Sequence, residues 1–420
     1  MKKKFFFALF LGGMWLLFSS FFAVPWAIDT SRFFPSFYVW WVIIGVALLP
    51  GFFMNSMFWS NLMHRKVPVF PDTDLPITVI MCAYNEETQI SRSIDAICNQ
   101  HYAGNIRLIV VDNASSDNTK TVILKSCQND TLYTVEYTFC PIPGKSHALN
   151  LGLSLVSTPY FVTVDADTIL EPFALKRLMN HMAVRKTACT AGNLFVSNGK
   201  HSFFTKMQIY DYLLSIAAIK RFQGSFRSTL VAQGAFSGYE TETVRALGGW
   251  KHCLGEDIVL TYEILKLGKL STYEPGAVGY TAVPSTAASF YNQRKRWAIG
   301  MLDGFSAVRP WQQGSLYSRY FTCVNLSTIY LDLAFLFGFL PGIILTFSGH
   351  FLLAGYLTLL SFAVSLILYY SVYRYQKRLD IPFENSIMGL LCFLLFFQPI
   401  QSSAALHGYV SWILKRKEEW

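Results

Sequence analysis

The sequence predicts an α/β domain set between groups of membrane-spanning helices. Of its 420 residues, 52% are hydrophobic and only 15% are charged, which is typical of a membrane protein with a soluble part. Long apolar runs lie near both ends of the chain, whereas the middle alternates short β-branched runs with amphipathic segments. This alternation predicts a mostly parallel sheet flanked by helices.

Basic residues are concentrated beside the apolar runs. Lys and Arg number 35 against 26 Asp and Glu, which gives a net charge of +9. Because the clusters at 2–4, 64–66, 374–378 and 415–417 flank apolar segments, we interpret them as membrane-orienting charge and expect no nucleic-acid binding. The eight cysteines show no Cys-x-x-Cys spacing, which predicts reduced thiols and a cytosolic catalytic part.

Residues 1–67 are predicted to form a transmembrane hairpin. The apolar run 5–24 follows three lysines but is too long for a signal peptide. The second run, 37–59, ends at a basic triplet, so both basic flanks fall on one side of the membrane. The positive-inside rule makes that side the cytosol.

A soluble domain is predicted over residues 68–310. Strands are predicted at 77–83, 107–111, 133–139 and 160–164. Helices are predicted near 88–99, 118–126, 146–156, 172–181, 203–221, 258–267 and 286–301. Ligands bind at the carboxyl ends of strands in such sheets, so polar residues at those ends are the candidate site residues.

The strand at 160–164 stops at two carboxylates, Asp165 and Asp167. No Lys or Arg stands beside them in the sequence, so their mutual repulsion calls for a cation. Carboxylate oxygens suit Mg²⁺ or Mn²⁺. The alternative is an Asp-rich turn that caps the next helix.

The first two strands also end in polar residues. Tyr84, Asn85 and Glu86 follow the first strand and offer an aromatic face and polar groups, a combination suited to a base and a ribose. Asp112 directly follows the second strand and is expected to be a ligand group, while the polar residues after it are expected to cap a helix.

Lys145 follows a glycine at the start of a predicted helix. The segment resembles half of a Walker A motif but lacks the earlier glycine, which argues against an ATPase P-loop. A lysine at a helix start still favours an anion, and a solvated loop lysine is the alternative.

Two further motifs lie on helices. Asp257 stands in the first turn of a helix, where acids are often only partners of the helix dipole. Gln293, Arg296 and Trp297 share one helix face, where they could clamp a phosphate and stack on a sugar ring, with Arg294 and Lys295 expected to face elsewhere. A basic amphipathic helix on lipid headgroups is the alternative.

Residues 311–420 are predicted to form interfacial and transmembrane helices. Apolar runs occur at 321–347, 351–373 and 387–414. Three simple crossings would place the basic end of the chain outside, against the positive-inside rule, so the number of crossings stays open.

Together these motifs resemble the membrane-embedded family-2 glycosyltransferases over roughly residues 76–301, most of all the processive members such as the bacterial poly-β-1,6-N-acetylglucosamine synthases. The motifs that carry the resemblance are Tyr84-Asn85-Glu86, Asp112, Gly144-Lys145, Asp165-Ala166-Asp167, Gly255-Glu256-Asp257 and Gln293-x-x-Arg296-Trp297. The resemblance implies an A-type glycosyltransferase fold that binds a UDP-sugar and inverts its anomeric carbon.

The resemblance also implies roles for these residues. Tyr84, Glu86 and Asp112 would hold uridine, and Lys145 would lie near the nucleotide. Asp165 and Asp167 would hold the diphosphate through Mg²⁺ or Mn²⁺. Asp257 would be the general base. A separate group would bind diphosphate and line the acceptor site: Gln293, Arg296 and Trp297.

The expected protein is a multi-pass enzyme of the cell membrane with a cytosolic catalytic domain. Its expected partners are UDP-N-acetylglucosamine, the growing glycan, the lipid bilayer and an accessory envelope protein. A processive polysaccharide synthase is the first hypothesis. The alternatives are a non-processive transferase acting on a lipid, and a transporter or catalytically silent assembly subunit.

Overall fold

A mixed sheet forms the centre of the soluble domain in the computed structural model, which describes residues 1–126, 134–354 and 356–415. Its strands are β1 (Ile77–Ala83), β2 (Ile106–Asp112), β3 (Thr134–Phe139), β4 (Tyr160–Asp165), β5 (Ile169–Leu170), β6 (Cys189–Val196), β7 (Phe236–Glu240) and β8 (Ser271–Thr281). Across the sheet they follow the order β3-β2-β1-β4-β7-β6-β8-β5. β1 to β4 pair in parallel, whereas β7 runs antiparallel to both of its neighbours.

All four predicted strands are present, and the described strand ends lie within one residue of the prediction. Tyr133, the predicted start of the third strand, lies outside the described residues. The prediction of a mostly parallel sheet holds for β1 to β4 but misses the antiparallel pairs that β7 makes with β4 and β6, and β5 with β8.

Both faces of the central strands are buried, which explains their continuous apolar sequences. Val79 and Met81 of β1 pack into one core cluster, and the intervening Ile80 packs into a second on the opposite face. The helices of this domain outside the membrane segments are Ile90–Cys98, Thr119–Ser126, Lys145–Leu155, Ala174–Arg185, Thr241–Ala246, Glu256–Lys266 and Ala287–Ala307.

A longer helical segment spans residues 203–225 between β6 and β7, where the sequence predicts a helix at 203–221. It is α-helical at Phe203–Tyr212 and Arg221–Ser225 but π-helical at Leu213–Lys220. The extra residue in a π turn changes the direction in which the following side chains point.

Within the described residues, four helices are long and apolar enough to cross a membrane, which makes the chain a membrane protein. They are Lys2–Thr30, Ser36–Met63, Leu316–Phe347 and Ile387–Ile413. The apolar run predicted at 351–373 corresponds to the helix Tyr356–Lys377.

The first two candidate membrane helices pack directly on the domain that contains the sheet. The ring of Phe5 is buried edge-on against Phe226 and Tyr317, with centroids 4.9 Å away in each case. The Lys4 amine donates to the Met63 carbonyl at 3.5 Å, and the Arg221 guanidinium donates to the Asn61 carbonyl. These cations neutralise the partial negative charge at the end of the second membrane helix.

Candidate active site

The sequence-predicted acidic residues meet at the carboxyl edge of β1, β2 and β4. The strand register pairs Ala83, the last residue of β1, with Asp112 of β2. On the other side of β1, Cys82 pairs with Asp165 of β4. The residues that follow β1 therefore lie between two carboxylates, as expected for a ligand site at this edge of the sheet.

The loop after β1 and the end of β2 hold each other in place. The Asn85 side chain accepts a hydrogen bond from the Ser116 N–H at 2.8 Å, and Tyr84 is 61% exposed beside it. Asp112 is buried and accepts from the Ser115 N–H at 3.0 Å and from the Tyr137 hydroxyl at 3.1 Å. The site thus combines an open aromatic ring with a fixed carboxylate.

Lys145 lies beside Asp165, with its Nζ 2.5 Å from Asp165 Oδ1. The sequence-based premise that no cation stands beside the two carboxylates is therefore wrong, because the chain brings this lysine to them from the start of helix Lys145–Leu155. Asp167 accepts from the hydroxyls of Thr168 at 3.3 Å and Thr281 at 3.4 Å. Burial and the Asp165 charge raise the pKa of Asp167 to about 6.

The helix Glu256–Lys266 begins with the acidic pair. Asp257 accepts from the Ile258 N–H at 2.8 Å and from the Gly234 N–H at 3.4 Å. Burial raises the pKa of Asp257, while Lys145 and then Lys220 oppose that rise. Burial, followed by the Asp257 charge, raises the pKa of Glu256 to about 8.

Carboxylates outnumber the cations at this edge. The acids are Glu86, Asp112, Asp165, Asp167, Glu256 and Asp257, and the buried amines are Lys145 and Lys220. Burial, and then Asp167 and Asp165, raise the pKa of Glu86 to about 7. In the part of the chain that the structure describes, no three Asp, Glu, His or Cys side chains are arranged to hold a metal by themselves. Asp165 and Asp167 would therefore need substrate or water oxygens to complete a coordination shell.

The helix Ala287–Ala307 crosses the Asp257 helix almost backbone to backbone. A Cβ on Gly255 would lie 2.4 Å from the Gly300 carbonyl oxygen, and one on Gly304 would lie 2.6 Å from Ile258. Asp303 accepts hydrogen bonds from the backbone N–H groups of Gly255 and Leu254, at the start of the acidic helix. These contacts fix Asp257 relative to the helix that carries Gln293, Arg296 and Trp297.

The last candidate membrane helix also contacts the helix Ala287–Ala307. The Trp412 indole, near the end of Ile387–Ile413, donates to Asp303 Oδ1 at 2.9 Å. A Cβ on Gly408 of the same membrane helix would lie 2.7 Å from the Lys295 carbonyl oxygen. The last membrane helix is therefore packed along the helix that positions the acidic pair.

On the helix Ala287–Ala307, Gln293 is partly buried, Arg296 is exposed and Trp297 is 43% exposed. Arg294 is buried whereas Arg296 is exposed, so these two side chains face apart as expected, but Arg294 also contacts Trp297. Its buried guanidinium lies 4.1 Å from the Trp297 ring centroid and 2.7 Å from Asp211 Oδ2. Sequence reasoning missed this support because Asp211 lies on a distant helix.

Tyr212 connects that ion pair to the acidic edge. Burial raises the pKa of Tyr212, Arg294 lowers it, and the Asp211, Asp167 and Asp165 carboxylates raise it further. Tyr212, the residue after Asp211, therefore experiences the charges of both the Arg294–Asp211 pair and the Asp165 and Asp167 carboxylates.

Comparison with known proteins gives consistent results. Residues 78–248 match the family Glycosyl transferase family 2. The chain is 27% identical over 314 residues to a poly-beta-1,6-N-acetyl-D-glucosamine synthase of Staphylococcus aureus (strain COL), covering 72% of this chain and 74% of that protein. The Staphylococcus epidermidis synthase is 26% identical over 267 residues, covering 62% and 64%.

A solved structure supports the fold. The mannosyltransferase PcManGT from Pyrobaculum calidifontis, in complex with GDP-Man and Mn²⁺, aligns with a TM-score of 0.60 over 90% of this chain and 100% of its own. Its sequence identity is 18%, so this likeness shows the fold alone. The predicted A-type glycosyltransferase fold is confirmed.

Proposed function

We propose that this membrane-embedded family 2 glycosyltransferase uses UDP-N-acetylglucosamine to elongate a β-linked polysaccharide and passes the product across the membrane. One observation carries the proposal: Lys145 lies between the Asp165 end of the site and the Glu256-Asp257 end. Burial opposes its charge, but Asp165 and Glu256 raise the pKa of Lys145 above its ordinary value. The groups expected to bind donor and acceptor therefore share one counter-charge.

The donor half of the site is assigned to the edge formed by β1, β2 and β4. Tyr84, Asn85, Glu86 and Asp112 would hold the uridine, because they combine an open ring with fixed polar groups. Lys145 would lie at the nucleotide. Similarity to N-acetylglucosamine polymer synthases over 72% of the chain supports the choice of donor sugar.

Asp165 and Asp167 would hold a divalent ion, Mg²⁺ or Mn²⁺. The donor set fits, because Asp165 and Asp167 offer the carboxylate oxygens that these ions prefer, and burial and the Asp165 charge raise the pKa of Asp167 despite the nearby Lys145. The ion would neutralise charge on the leaving diphosphate. The presence of Mn²⁺ in the PcManGT complex supports this assignment.

In the acceptor half, Asp257 would take the proton from the acceptor hydroxyl as that oxygen attacks the anomeric carbon. The bond from this carbon to the diphosphate oxygen breaks, UDP leaves, and the configuration inverts. Gln293 and Arg296 would bind the diphosphate. The exposed Trp297 ring would stack on the terminal sugar of the acceptor.

We assign residues 1–67 to a transmembrane hairpin, 68–310 to a cytosolic glycosyltransferase domain and 311–420 to interfacial and transmembrane helices of the cell membrane. The contact between Trp412 and Asp303 supports an exit for the polymer close to the acceptor site, because it joins a membrane helix to the helix that carries Trp297. An accessory envelope protein would act beyond the membrane.

Product size tests this function. Membranes containing the wild-type protein are supplied with UDP-N-acetylglucosamine and Mg²⁺, and UDP release and product length are followed. A ladder or long polymer is expected. One sugar on a lipid would instead identify a non-processive lipid glycosyltransferase. If none of several UDP-sugars releases UDP, the result would contradict the motif assignment and favour a catalytically silent assembly subunit.

A further inference from the structure

Lys220 is a buried lysine that belongs to none of the motifs described above. It is the last residue of the π-helical segment Leu213–Lys220 and is only 8% exposed. Its amine donates to the Val231 carbonyl at 3.0 Å and to the Gln233 side-chain oxygen. Both of these partners are uncharged, which is an unusual environment for a buried ammonium group.

The segment that Lys220 binds also binds Asp257. The Gly234 N–H donates to Asp257 Oδ2 at 3.4 Å. The Ala232 N–H donates to the Thr261 hydroxyl at 3.0 Å, and that hydroxyl donates to the Asp257 carbonyl at 2.7 Å. Residues 231–234 therefore form a short bridge between the lysine and the acidic helix.

Gln233 fixes the bridge to the sheet. Its side-chain amide donates to the Gly192 carbonyl at 2.7 Å and to the Phe236 carbonyl at 3.3 Å, while its oxygen accepts from Lys220. The amine of Lys220 is thus oriented by two oxygens of the bridge.

The charges of Lys220 and Asp257 act on each other. Burial lowers the pKa of Lys220 to about 7, and the Asp257 carboxylate opposes that change. Around Asp257, the other ionisable groups are Lys145, Glu256, Tyr239 and Cys253. Two lysines favour the charged form of Asp257. Lys145 also forms an ion pair with Asp165, whereas Asp257 is the carboxylate that acts on the pKa of Lys220.

We propose that Lys220 is a positioning residue for sugar transfer: its ammonium group holds residues 231–234 against Asp257 and keeps that carboxylate charged before it receives the acceptor proton. This role depends on the proposed function of Asp257 as the base. The π-helical turns that end at Lys220 explain how a helix otherwise packed in the apolar core delivers one cation to the bridge.

The test compares Lys220→Met with Lys220→Arg. Methionine has a similar length but no charge, and arginine restores the charge. Because Lys220→Met leaves two buried oxygens without their donor, thermal unfolding separates loss of folded protein from loss of catalysis. Lys206→Met, a partly exposed lysine of the same helical segment, is the control. UDP release by purified protein is measured against pH and donor concentration, together with thermal unfolding.

We expect Lys220→Met to lower kcat roughly tenfold or more and to leave the donor KM within about twofold. The acid limb of its pH profile should move upward by about one unit, because Asp257 loses a nearby positive charge. The acid limb of Lys220→Arg should return toward the wild-type position, because arginine restores the positive charge. An unchanged pH profile, with activity lost only in proportion to folded protein, would overturn the proposal. Failure of the proposed function looks different, because wild type itself would then release no UDP.

Discussion

The amine of Lys145 and the carboxylate of Asp165 form an ion pair with a separation of 2.5 Å, although the two residues are 20 positions apart in the chain. The lysine therefore already satisfies an oxygen that a divalent ion would need. A metal ion that arrives with the nucleotide-sugar must either displace Lys145 from Asp165 or bind Asp165 together with Lys145.

Lys145→Met should bind Mn²⁺ more tightly than wild type in the absence of nucleotide, because the cation that competes for Asp165 is gone. Its turnover should nevertheless fall, by about tenfold or more, since the acidic groups lose their shared counter-charge. Mn²⁺ titration followed by electron paramagnetic resonance measures the first effect. Equal Mn²⁺ affinity in the two proteins would argue that Lys145 does not occupy the metal position.

Gly255→Ala should separate the acidic helix from the helix Ala287–Ala307, since its Cβ would lie 2.4 Å from the Gly300 carbonyl oxygen. Neither backbone can yield easily, so Asp257 shifts relative to Trp297. A misplacement of about 1 Å can reduce turnover by about 100-fold. Gly13→Ala is the control, because nothing lies within 4 Å of its added Cβ. Equal rates for both variants would show that the crossing does not position the site.

Asp211→Asn should destabilise the protein by roughly 3–5 kcal/mol, because it leaves Arg294 buried without its anion. Asp211→Leu combined with Arg294→Met should recover most of the stability but not the activity, since Trp297 still lacks the guanidinium beneath its ring. Thermal unfolding and UDP release report the two quantities. Recovery of both stability and activity would show that Arg294 does not support Trp297 at the acceptor site.

Glu256→Gln should stabilise the metal-free protein at pH 8 and have little effect near pH 5. Burial raises the pKa of folded Glu256 from 4.5 to about 8, so the folded state binds more protons than the unfolded state between those values. Stability is therefore lost as pH rises through that window, and glutamine removes the loss. Unfolding temperatures of both proteins from pH 5 to pH 8 test this, and a constant difference would contradict it.

The sequence was informative where local chemistry decides the structure. β1 to β4 were predictable because strands buried on both faces need continuous apolar residues. β7 was missed because its sequence, Phe236-Ser237-Gly238-Tyr239-Glu240, contains a glycine and a serine that are unusual in strands. A Cβ on Gly238 would lie 2.4 Å from the Met182 sulfur, so a larger residue there would require the Met182 side chain to move.

At the site, the motifs predicted which side chains meet at the edge of the sheet but not how their charges are balanced. Asp165 is balanced by Lys145, Arg294 by Asp211, and Asp257 by Lys145 and Lys220. Lys145 begins one helix, whereas Asp211 and Lys220 both lie on the helical segment 203–225, far from their partners in the sequence. Pairings of this kind depend on how helices pack on the sheet, which no local pattern in the sequence records.

UDP release by Asp257→Asn shows whether Asp257 is the base for sugar transfer. Asparagine keeps the shape of the side chain but cannot take the acceptor proton, so turnover with Mg²⁺ should fall on the order of 10²- to 10⁴-fold while the donor KM changes little. Asp95→Asn, on an exposed helix position, should match wild type. An Asp257→Asn enzyme that releases UDP and extends the glycan at the wild-type rate would contradict the assignment of Asp257 as the base.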